Sequence, residues 1–355
     1  MDRYIGMDTH SQTCTLRALT SSGKEVTRQV VETNGAALVQ AIRSIPGTKH
    51  VCIEEGTQSA WIYELLKNEV DELVVTVPAR CAGQKDDARD ALGLAEGLRT
   101  GAIRQRVYKA CGPYSELRAA VRSYVLLRED VTRAKNRLKA LYRSRGIATP
   151  GDGVYRADTH LRWQRLLPAP QQQSASVLFS QVESLMDLWT MAEKRLITAS
   201  KPHEIVKTLA TAPGIGPIRA AQIVATVVTP HRFRTSRQFW AYCGLAIAMR
   251  SSSDWVRDRR GQWARSKKLQ TLGLNRNRQP ALKAVFKGAA HPVALQMTTH
   301  ALHGDYQRLL DAGTKPNLAQ LTIARRLAAA VLAMWKKEEV YDPDKHRSHI
   351  VHAPA

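Results

Sequence analysis

The segment RYIGMDTHSQTCTLRALTSSGKEVTRQVVE, residues 3–32, decides the fold of the first part of the chain. Residues 3–8 have the composition of a short buried strand, and residues 13–19 and 25–32 alternate apolar with polar side chains. A period of two is typical of half-buried strands, and the intervening SSGK is typical of a turn. These patterns predict a three-stranded antiparallel meander.

Helices and strands alternate after this meander. The patterns predict helices over residues 35–45 and 61–67, and strands over HVCIEE (residues 50–55) and LVVTVP (residues 73–78). Strands that alternate with helices indicate an α/β domain with a mixed sheet. We expect this domain to span residues 1–108.

Two long helices are predicted next, in a segment that spans residues 109–203. Residues 114–145 contain neither Pro nor Gly, and a Pro-, Gly- and Gln-rich stretch, residues 149–174, predicts a loop between the helices. Apolar side chains in both helices recur at alternating spacings of four and three, as in a coiled coil. This periodicity fits a helical hairpin within one chain and a dimerising coiled coil equally well, so both alternatives stay open. The two seams are Ala120, Tyr124, Leu127, Val131, Ala134, Leu138 and Leu141, and Leu178, Val182, Leu185, Trp189, Ala192 and Leu196.

The sequence pattern of the remaining residues predicts a mostly α-helical C-terminal domain over residues 204–345, followed by a tail, residues 346–355. Its last clear helix spans residues 318–337. The residues on one face of that helix are Leu321, Ala324, Ala328, Val331 and Trp335.

The charge of the 355-residue chain is strongly positive and unevenly distributed. There are 53 Lys and Arg against 31 Asp and Glu, which gives a net charge of +22. Residues 1–98 hold 10 basic and 14 acidic residues, whereas residues 231–287 hold 14 basic and 2 acidic ones. Solubility alone does not require such clustering, so the basic part indicates a polyanionic partner, and nucleic acid is the commonest large one.

The five cysteines are far apart and form no CxxC pair or Cys/His cluster, so they indicate neither a zinc site nor a disulfide framework. The N-terminus MDRYIGMD lacks the pattern of a signal peptide. No apolar run approaches the roughly 20 residues that span a bilayer. We therefore expect no membrane association and a location in the reducing cytoplasm.

Four acidic residues follow an order typical of a two-metal site. Asp8 ends the first strand, Glu54 ends the strand VCIE, and Asp87 and Asp90 share one face of a predicted helix. Carboxylate oxygens suit Mg²⁺, and two such ions about 3.5–4 Å apart activate an attacking oxygen and stabilise a leaving one. Each acid alone has the simpler interpretation of a surface charge. The adjacent rivals for Glu54 and Asp87 are Glu55 and Asp86.

The sequence ATAPGIGPIRAAQIVA, residues 210–225, has the pattern of a helix–hairpin–helix. Gly214 and Gly216 permit a tight turn, and the next segment is helical. In that motif the turn amides and the following helix N-terminus point at a phosphate. The simpler alternative is a turn that only packs two helices, but the basic run directly follows and favours contact with the DNA backbone.

Three serines lie among basic residues in YCGLAIAMRSSSDWVRDRRGQWARSKK, residues 242–268. A serine hydroxyl attacks a phosphodiester if a metal or base activates it and arginines neutralise the developing charge. A serine run by itself is more often a polar loop. The basic residues here that we expect to contact nucleic acid are Arg250, Arg257, Arg259, Arg260, Lys267 and Lys268.

The order of the motifs resembles one family. IGMD, CIEE, DDARDALGLAE, APGIGPIRAAQI, FWAYCGL, the serine run and ARRLAAAVLAMW…YDP are together similar to insertion-sequence transposases that have an N-terminal RuvC-like DEDD domain and a C-terminal serine domain. These are relatives of the pilin-gene invertase, and some are guided by a bridge RNA. The resemblance extends from Tyr4 to Pro343 and implies a RuvC/RNase H-like fold for the first domain.

The resemblance also implies roles for individual residues. The family's serine follows the Gly of a Gly-Leu pair by eight residues, which selects Ser252 as the nucleophile. The family usually has Gly-Leu-Thr-Pro and a Gly after the serine, whereas this chain has Gly-Leu-Ala-Ile and Ser253, so the register among Ser251, Ser252 and Ser253 stays open. The implied partners are donor and target DNA, a bridge RNA and further copies of the chain in a dimer or tetramer. The implied Mg²⁺ ligands are Asp8, Glu54, Asp87 and Asp90.

Two other functions fit parts of the pattern. The first is a RuvC-like junction nuclease that uses water, in which the serine run is structural. The second is a non-catalytic, basic nucleic-acid-binding protein with a degenerate acidic domain. A covalent protein–DNA adduct discriminates against the first. The four intact acids argue against the second, and a function independent of Mg²⁺ would support it.

Overall fold

The structure is a computed structural model that describes residues 1–355 except 79–85, 108–111, 252–254, 258–259, 266–268 and 349–355. The chain forms two compact units, Met1–Gly112 and Pro113–Ala355.

The first unit is built on a mixed five-stranded sheet with the strand order β3-β2-β1-β4-β5. The first three strands form an antiparallel meander, and β4 and β5 continue the sheet parallel to β1. The predicted α/β domain with a mixed sheet is therefore confirmed. The strands are β1 (Asp2–Thr9), β2 (Thr13–Leu19), β3 (Glu25–Glu32), β4 (Thr48–Glu54) and β5 (Glu72–Thr76), and the helices are α1 (Gly35–Arg43), α2 (Ser59–Leu66) and α3 (Asp87–Arg99).

Alternate residues of the strands face two different sets of helices. Ile5 and Met7 of β1 belong to the apolar core that α1 and α2 complete. Cys52 of β4 instead packs with Leu94 and Leu98 of α3 on the opposite face of the sheet. Because successive side chains of a strand point to opposite faces, Asp8 and Glu54 lie on the face that α3 covers.

Helix α3 approaches β1 closely because Gly6 has no side chain. A Cβ atom on Gly6 would lie 1.9 Å from the carbonyl oxygen of Ala91 and 2.6 Å from the amide nitrogen of Ala95. This contact fixes the height of α3 above β1, and it brings the first turn of the helix over the end of the strand.

The second unit begins with a helical hairpin. The buried seam residues of its two long helices, α4 (Ser115–Arg143) and α6 (Ala169–Ser200), lie in shared apolar clusters within the chain, as Ala134 does with Val182, and Ala120 with Leu196. This packing corresponds to the intramolecular alternative, and the same seam is not free to supply a contact between subunits. The helices are α4 (Ser115–Arg143), α5 (His160–Gln164) and α6 (Ala169–Ser200).

The predicted loop over residues 149–174 is wrong in its last six residues, because α6 begins at Ala169. Pro170 lies in the first turn of the helix. There a missing backbone N–H costs no hydrogen bond. The glutamines that follow are good helix formers.

The rest of the second unit is mostly helical, as predicted. Helix α12 (Pro316–Lys337) is long and apolar enough to span a membrane by length and composition, but 56% of that stretch is buried inside the protein. All five residues of its predicted apolar face lie in the core, so α12 is the central core helix of this unit. The helices are α7 (Glu204–Ala210), α8 (Pro217–Val227), α9 (Ser236–Tyr242), α10 (Pro280–Leu295), α11 (Ala301–Asp311), α12 (Pro316–Lys337) and α13 (Pro343–Ser348).

Four short strands interrupt this helical region and were not predicted. The first and last of them pair with each other in antiparallel fashion, and the middle two form a second antiparallel pair. Trp255 and Trp263 are exposed on the inner pair, so these large side chains do not mark a buried face in the sequence. The strands are β6 (Ile247–Ser251), β7 (Trp255–Arg257), β8 (Trp263–Arg265) and β9 (Leu269–Leu274).

Candidate metal centre and nucleic-acid surface

Asp8 is a nearly buried carboxylate near the end of β1. Its exposed fraction is 8%, and its backbone is fixed opposite Thr15 of β2. The residue faces α3, whose first turn carries Asp87 and Asp90. The structure therefore brings together the predicted strand Asp and the predicted helical Asp-x-x-Asp.

The neighbouring Asp86 has a different role from Asp87. Its side chain accepts a hydrogen bond of 3.1 Å from the backbone N–H of Ala88, which makes it the N-cap of α3. Arg17 of β2 also donates to the carbonyl oxygen of Ala88 at 3.2 Å. These two contacts hold the first turn of α3 against the sheet, where Asp87 is half exposed.

His10 joins these acids, although no motif in the sequence indicated it. Its Nε2 atom lies 3.2 Å from Oδ2 of Asp8 and 3.1 Å from Oδ1 of Asp87. Among the residues that the structure describes, these three form the group whose ligand atoms all lie within 4.8 Å of one another. The spacing Asp-x-His at the end of a strand could have indicated His10, because side chains two residues apart point to the same side of a strand.

Glu54 lies on the strand next to Asp8. Met7 pairs in parallel register with Ile53, so the following residues, Asp8 and Glu54, are neighbours on the α3 face. The alternative candidate, Glu55, makes structural contacts instead. Its N–H donates to the carbonyl oxygen of Thr76 in β5 at 2.7 Å, and its carboxylate accepts from the hydroxyl of Ser59 in α2 at 3.2 Å. Glu54 and Asp90 are not members of the closest group of three.

Burial raises the pKa of the Asp8 carboxyl above its ordinary value. His10 opposes this rise, whereas the negative charges of Asp87 and Asp90 add to it. A bound cation would offset both the desolvation and the repulsion between the acids. Two carboxylates and an imidazole are also a common donor set for divalent ions. The residues present therefore fit a divalent metal.

An open cleft lies beside this group, on the α3 side of β2 and β3. It is bordered by the exposed cations Arg28 and Arg89 as well as by Asp87. The threonines of β2, Thr13 and Thr15, form its floor. A cleft that combines carboxylates with flanking guanidinium groups can hold a metal and a phosphodiester side by side.

In the second unit, the turn at residues 211–216 joins α7 to α8 and packs against α10. Gly214 has a φ of +71°, and a Cβ atom there would lie 2.2 Å from the carbonyl oxygen of Ala289. Gly214 is thus required by the packing of the turn. A Cβ atom on Gly216, the N-cap of α8, would meet open space, so packing does not explain this glycine.

Helix α10, on which this turn rests, is basic along its exposed side. Its sequence PALKAVFKGAAHPVAL contains no acidic residue. Burial lowers the pKa of Lys283, and the nearby charges of Arg278 and Lys287 lower it further. Cations that crowd together in this way favour a bound polyanion.

The serine run falls only partly within the described residues. Ser251 is the last residue of β6, whereas Ser252 and Ser253 lie outside the described part of the chain, as do Arg259, Lys267 and Lys268. Arg250 lies in β6. The guanidinium of Arg257 stacks on the ring of Trp263 at 5.3 Å, and Arg260 is exposed in the turn that follows.

Two family models match the chain and together cover more than half of it. A transposase model of the DEDD type of IS110 matches residues 5–144. The transposase IS116/IS110/IS902 family model matches residues 206–275. The first match contains Asp8, Glu54, Asp87 and Asp90, and the second contains the glycine turn and the serine run.

Two curated proteins are also similar. The chain is 28% identical over 172 residues to the transposase for insertion sequence element IS1533 of Leptospira borgpetersenii, over 45% of this chain and 49% of that protein. It is 25% identical over 276 residues to a probable family 20 transposase of Pseudomonas aeruginosa, over 74% of this chain and 75% of that protein. The matched region thus spans about half the length of the first relative and three quarters of the second.

Proposed function

Since the chain belongs to the IS116/IS110/IS902 family of transposases, we propose that it moves an insertion sequence by Mg²⁺-dependent cleavage and exchange of DNA strands. The observation that carries this proposal is the convergence of Asp8 and Asp87 at one end of the sheet, beside a cleft with flanking arginines. The cytoplasm, where the DNA lies, is the expected location.

The proposed ligands of the metal are Asp8, Glu54, Asp87 and Asp90. When bound, Mg²⁺ supplies Lewis-acid stabilisation of the charge that develops at the scissile phosphate. Asp8 and Glu54 are fixed by adjacent parallel strands, whereas Asp87 and Asp90 are carried by the first turn of α3. Arg28 and Arg89, at the border of the cleft, would orient the phosphodiester.

Ser252 is the proposed nucleophile. Its Oγ would form a bond to the scissile phosphorus while the bond from phosphorus to the 3′ oxygen breaks. The serine loses one proton and the departing oxygen gains one, which leaves a phosphoserine link and a free 3′ hydroxyl. Attack by another 3′ hydroxyl then reverses the step on a new strand and conserves the phosphodiester energy.

The proposed surface for the nucleic-acid backbone is basic and lies in the second unit. It comprises the turn with Gly214 and Gly216, the exposed side of α10, and the basic residues that surround the serine run. The concentration of positive charge in residues 231–287 supports this assignment. A bridge RNA would use the same kind of contact, because phosphates of RNA and DNA present the same charge.

The proposed assembly is a homo-oligomer, either a dimer or a tetramer. The acids lie in the first unit and Ser252 lies in the second, so the reaction requires the two to meet within one chain or between copies. The seam between α4 and α6 is buried within the chain, and a contact between subunits would therefore use other surfaces.

The test is recombination of DNA that carries the ends of the element, measured with purified protein in Mg²⁺ and in EDTA. The expected result is a loss of at least about 100-fold in EDTA and in each of Asp8→Ala, Glu54→Ala, Asp87→Ala and Asp90→Ala, because these carboxylates stabilise charge at the reacting phosphate. Asp86→Asn and Glu55→Gln are the matched controls and should remain within a few-fold of wild type. Wild-type rates in both Asp87→Ala and Asp90→Ala would disprove the assignment.

A further inference from the structure

The position of His10 matches that of a metal ligand. In a six-coordinate ion with bonds of about 2.1–2.2 Å, adjacent ligands lie about 3.0–3.1 Å apart. The Nε2 atom of His10 lies 3.2 Å from the Asp8 oxygen and 3.1 Å from the Asp87 oxygen. One cation can therefore contact all three side chains without any movement of the backbone.

The backbone of His10 is held in this position by the turn between β1 and β2. Its N–H donates to the carbonyl oxygen of Thr13 at 2.9 Å. Its own carbonyl oxygen accepts from the hydroxyl of Thr33 at 2.8 Å. These two bonds fix the backbone of His10, so only its side-chain torsions remain to be ordered when the imidazole binds an ion.

An imidazole changes which ion a carboxylate site prefers. Mg²⁺ favours oxygen ligands, whereas first-row transition ions accept imidazole nitrogen readily. We propose that His10 is a nitrogen ligand of the catalytic metal, and that it makes the site bind Mn²⁺ in preference to Mg²⁺. This inference rests on the proposed function, since it concerns the same metal centre.

The test is Mn²⁺ binding to the full-length protein without DNA, followed by the electron paramagnetic resonance signal of free Mn²⁺, with Mg²⁺ as competitor. His10→Ala should weaken Mn²⁺ binding at least about tenfold, which is the low end of the cost of losing a residue that only orients a ligand. The dissociation constant of Mg²⁺, measured by its competition with Mn²⁺, should differ by less than about threefold between wild type and His10→Ala. Electron spin-echo spectra of the bound Mn²⁺ should show coupling to ¹⁴N in wild type and none in His10→Ala.

His50→Ala is the matched control. This histidine belongs to the same sheet and also contacts two carboxylates, Asp2 and Glu72. It is not a member of the group formed by Asp8, His10 and Asp87. Its replacement should leave Mn²⁺ binding and the nitrogen coupling unchanged. Circular dichroism of each variant verifies that the first unit is folded.

Three results would contradict the inference. Binding of Mn²⁺ that is unchanged or tighter in His10→Ala would mean that the imidazole only neutralises the acids. An equal loss for both ions would refute the preference, and bound Mn²⁺ without nitrogen coupling in wild type would refute the ligand. In all three cases, loss of Mn²⁺ binding in Asp8→Asn would still support the proposed metal centre. If wild-type protein bound no Mn²⁺ at all, the proposed metal centre would be refuted as well.

Discussion

At the scale of single residues, Asp8 combines burial with negative charge. Its carboxyl is 8% exposed, and the acids Asp87 and Asp90 lie close enough to raise its pKa further. Folding alone does not favour such an arrangement, because desolvation and like-charge repulsion both destabilise the ionised form. This strain is expected at a site whose charge is balanced only when a cation binds.

The first prediction is that Asp8→Asn makes the metal-free protein more stable while it abolishes recombination. The folded-state pKa of Asp8 is raised, so its ionised form destabilises the folded state above that pKa, and this penalty disappears as the pH falls below the unfolded-state pKa. The gain in Tm should therefore be largest near neutral pH and shrink as the solution is acidified. Thermal unfolding in EDTA measures it, and a lower Tm for Asp8→Asn at neutral pH would contradict the argument.

Asp86→Asn is the control for this prediction. Asn and Asp are equally good N-caps, so the replacement should change the Tm very little.

The order of the acids along the chain was enough to predict Asp8 and Asp87 as neighbours in space. The sequence alone could not choose Asp87 over Asp86 or Glu54 over Glu55. Their contacts separate them, since Asp86 caps α3 and the carboxylate of Glu55 accepts a hydrogen bond from Ser59. His10 was missed for another reason. A single histidine after a strand is common, and its meaning depends on Asp87, which is 77 residues away in the sequence and adjacent only in the fold.

At the scale of elements, the contact between β1 and α3 sets the geometry of the group formed by Asp8, His10 and Asp87. Gly6 is the residue at which the helix backbone meets the strand. The glycine is part of the IGMD motif, two residues before Asp8, so the same short sequence supplies both a proposed metal ligand and the space that its neighbouring helix needs.

The second prediction compares two Gly→Ala replacements in this contact. Gly6→Ala places a methyl group against the backbone of α3 and should cost about 3 kcal/mol or more, at the upper end of the cost of overpacking, because a backbone cannot rotate away as a side chain can. Gly93→Ala, on the exposed side of α3 with open space around it, should instead stabilise by about 0.5–1 kcal/mol. Urea unfolding of the full-length protein measures both. A Gly6→Ala variant as stable as wild type would show that α3 does not pack directly on β1.

The third prediction concerns α10 and the proposed nucleic-acid surface. Lys283 and Lys287 lie one turn apart on this helix and crowd each other. If each neutralises one phosphate of duplex DNA, Lys283→Gln with Lys287→Gln should reduce the slope of log affinity against log salt by about 1.8. Lys194→Gln with Lys201→Gln removes the same charge from exposed positions at the end of α6 and should leave the slope unchanged. Equal slopes for the two double variants would exclude α10 from the surface.

The predictability of the elements follows from their burial. The strands β1, β2, β4 and β5 were predictable because each buries apolar residues, and a buried face produces an apolar pattern. In β3 only the partly buried Val31 packs against the core, and the alternation of its side chains still marked the strand. The four strands between residues 247 and 274 were not, because large apolar side chains that they carry, Ile247, Trp255, Trp263 and Leu272, are exposed and do not mark a face that packs in the core. The hairpin of α4 and α6 was predictable as two helices, but whether its seam closed within one chain depended on packing that periodicity does not encode.

At the scale of the whole molecule, the proposed chemistry is divided between the two units. The acids belong to the first unit, and the serine run belongs to the second. Carboxylates that bind a metal are sufficient for hydrolysis, which leaves free ends and releases the phosphodiester energy. A recombinase benefits instead from a covalent link to the protein, because the link conserves the phosphodiester energy for rejoining, and a serine can supply it.

The fourth prediction is therefore that wild-type protein forms a covalent adduct with DNA through Ser252. A denaturing gel of end-labelled DNA should show a band shifted by the mass of the protein in Mg²⁺ and none in EDTA or in Asp87→Asn. Ser252→Ala should bind DNA normally yet give neither adduct nor recombinant, whereas Ser251→Ala and Ser253→Ala should remain active, because Ser252 is the residue that follows Gly244 by eight positions. An adduct that persists in Ser252→Ala and disappears in Ser251→Ala or Ser253→Ala would move the nucleophile to that neighbour. Efficient strand cleavage by wild type without any adduct would instead identify water as the nucleophile, and the protein would be a junction nuclease in which the acids of the first unit act alone.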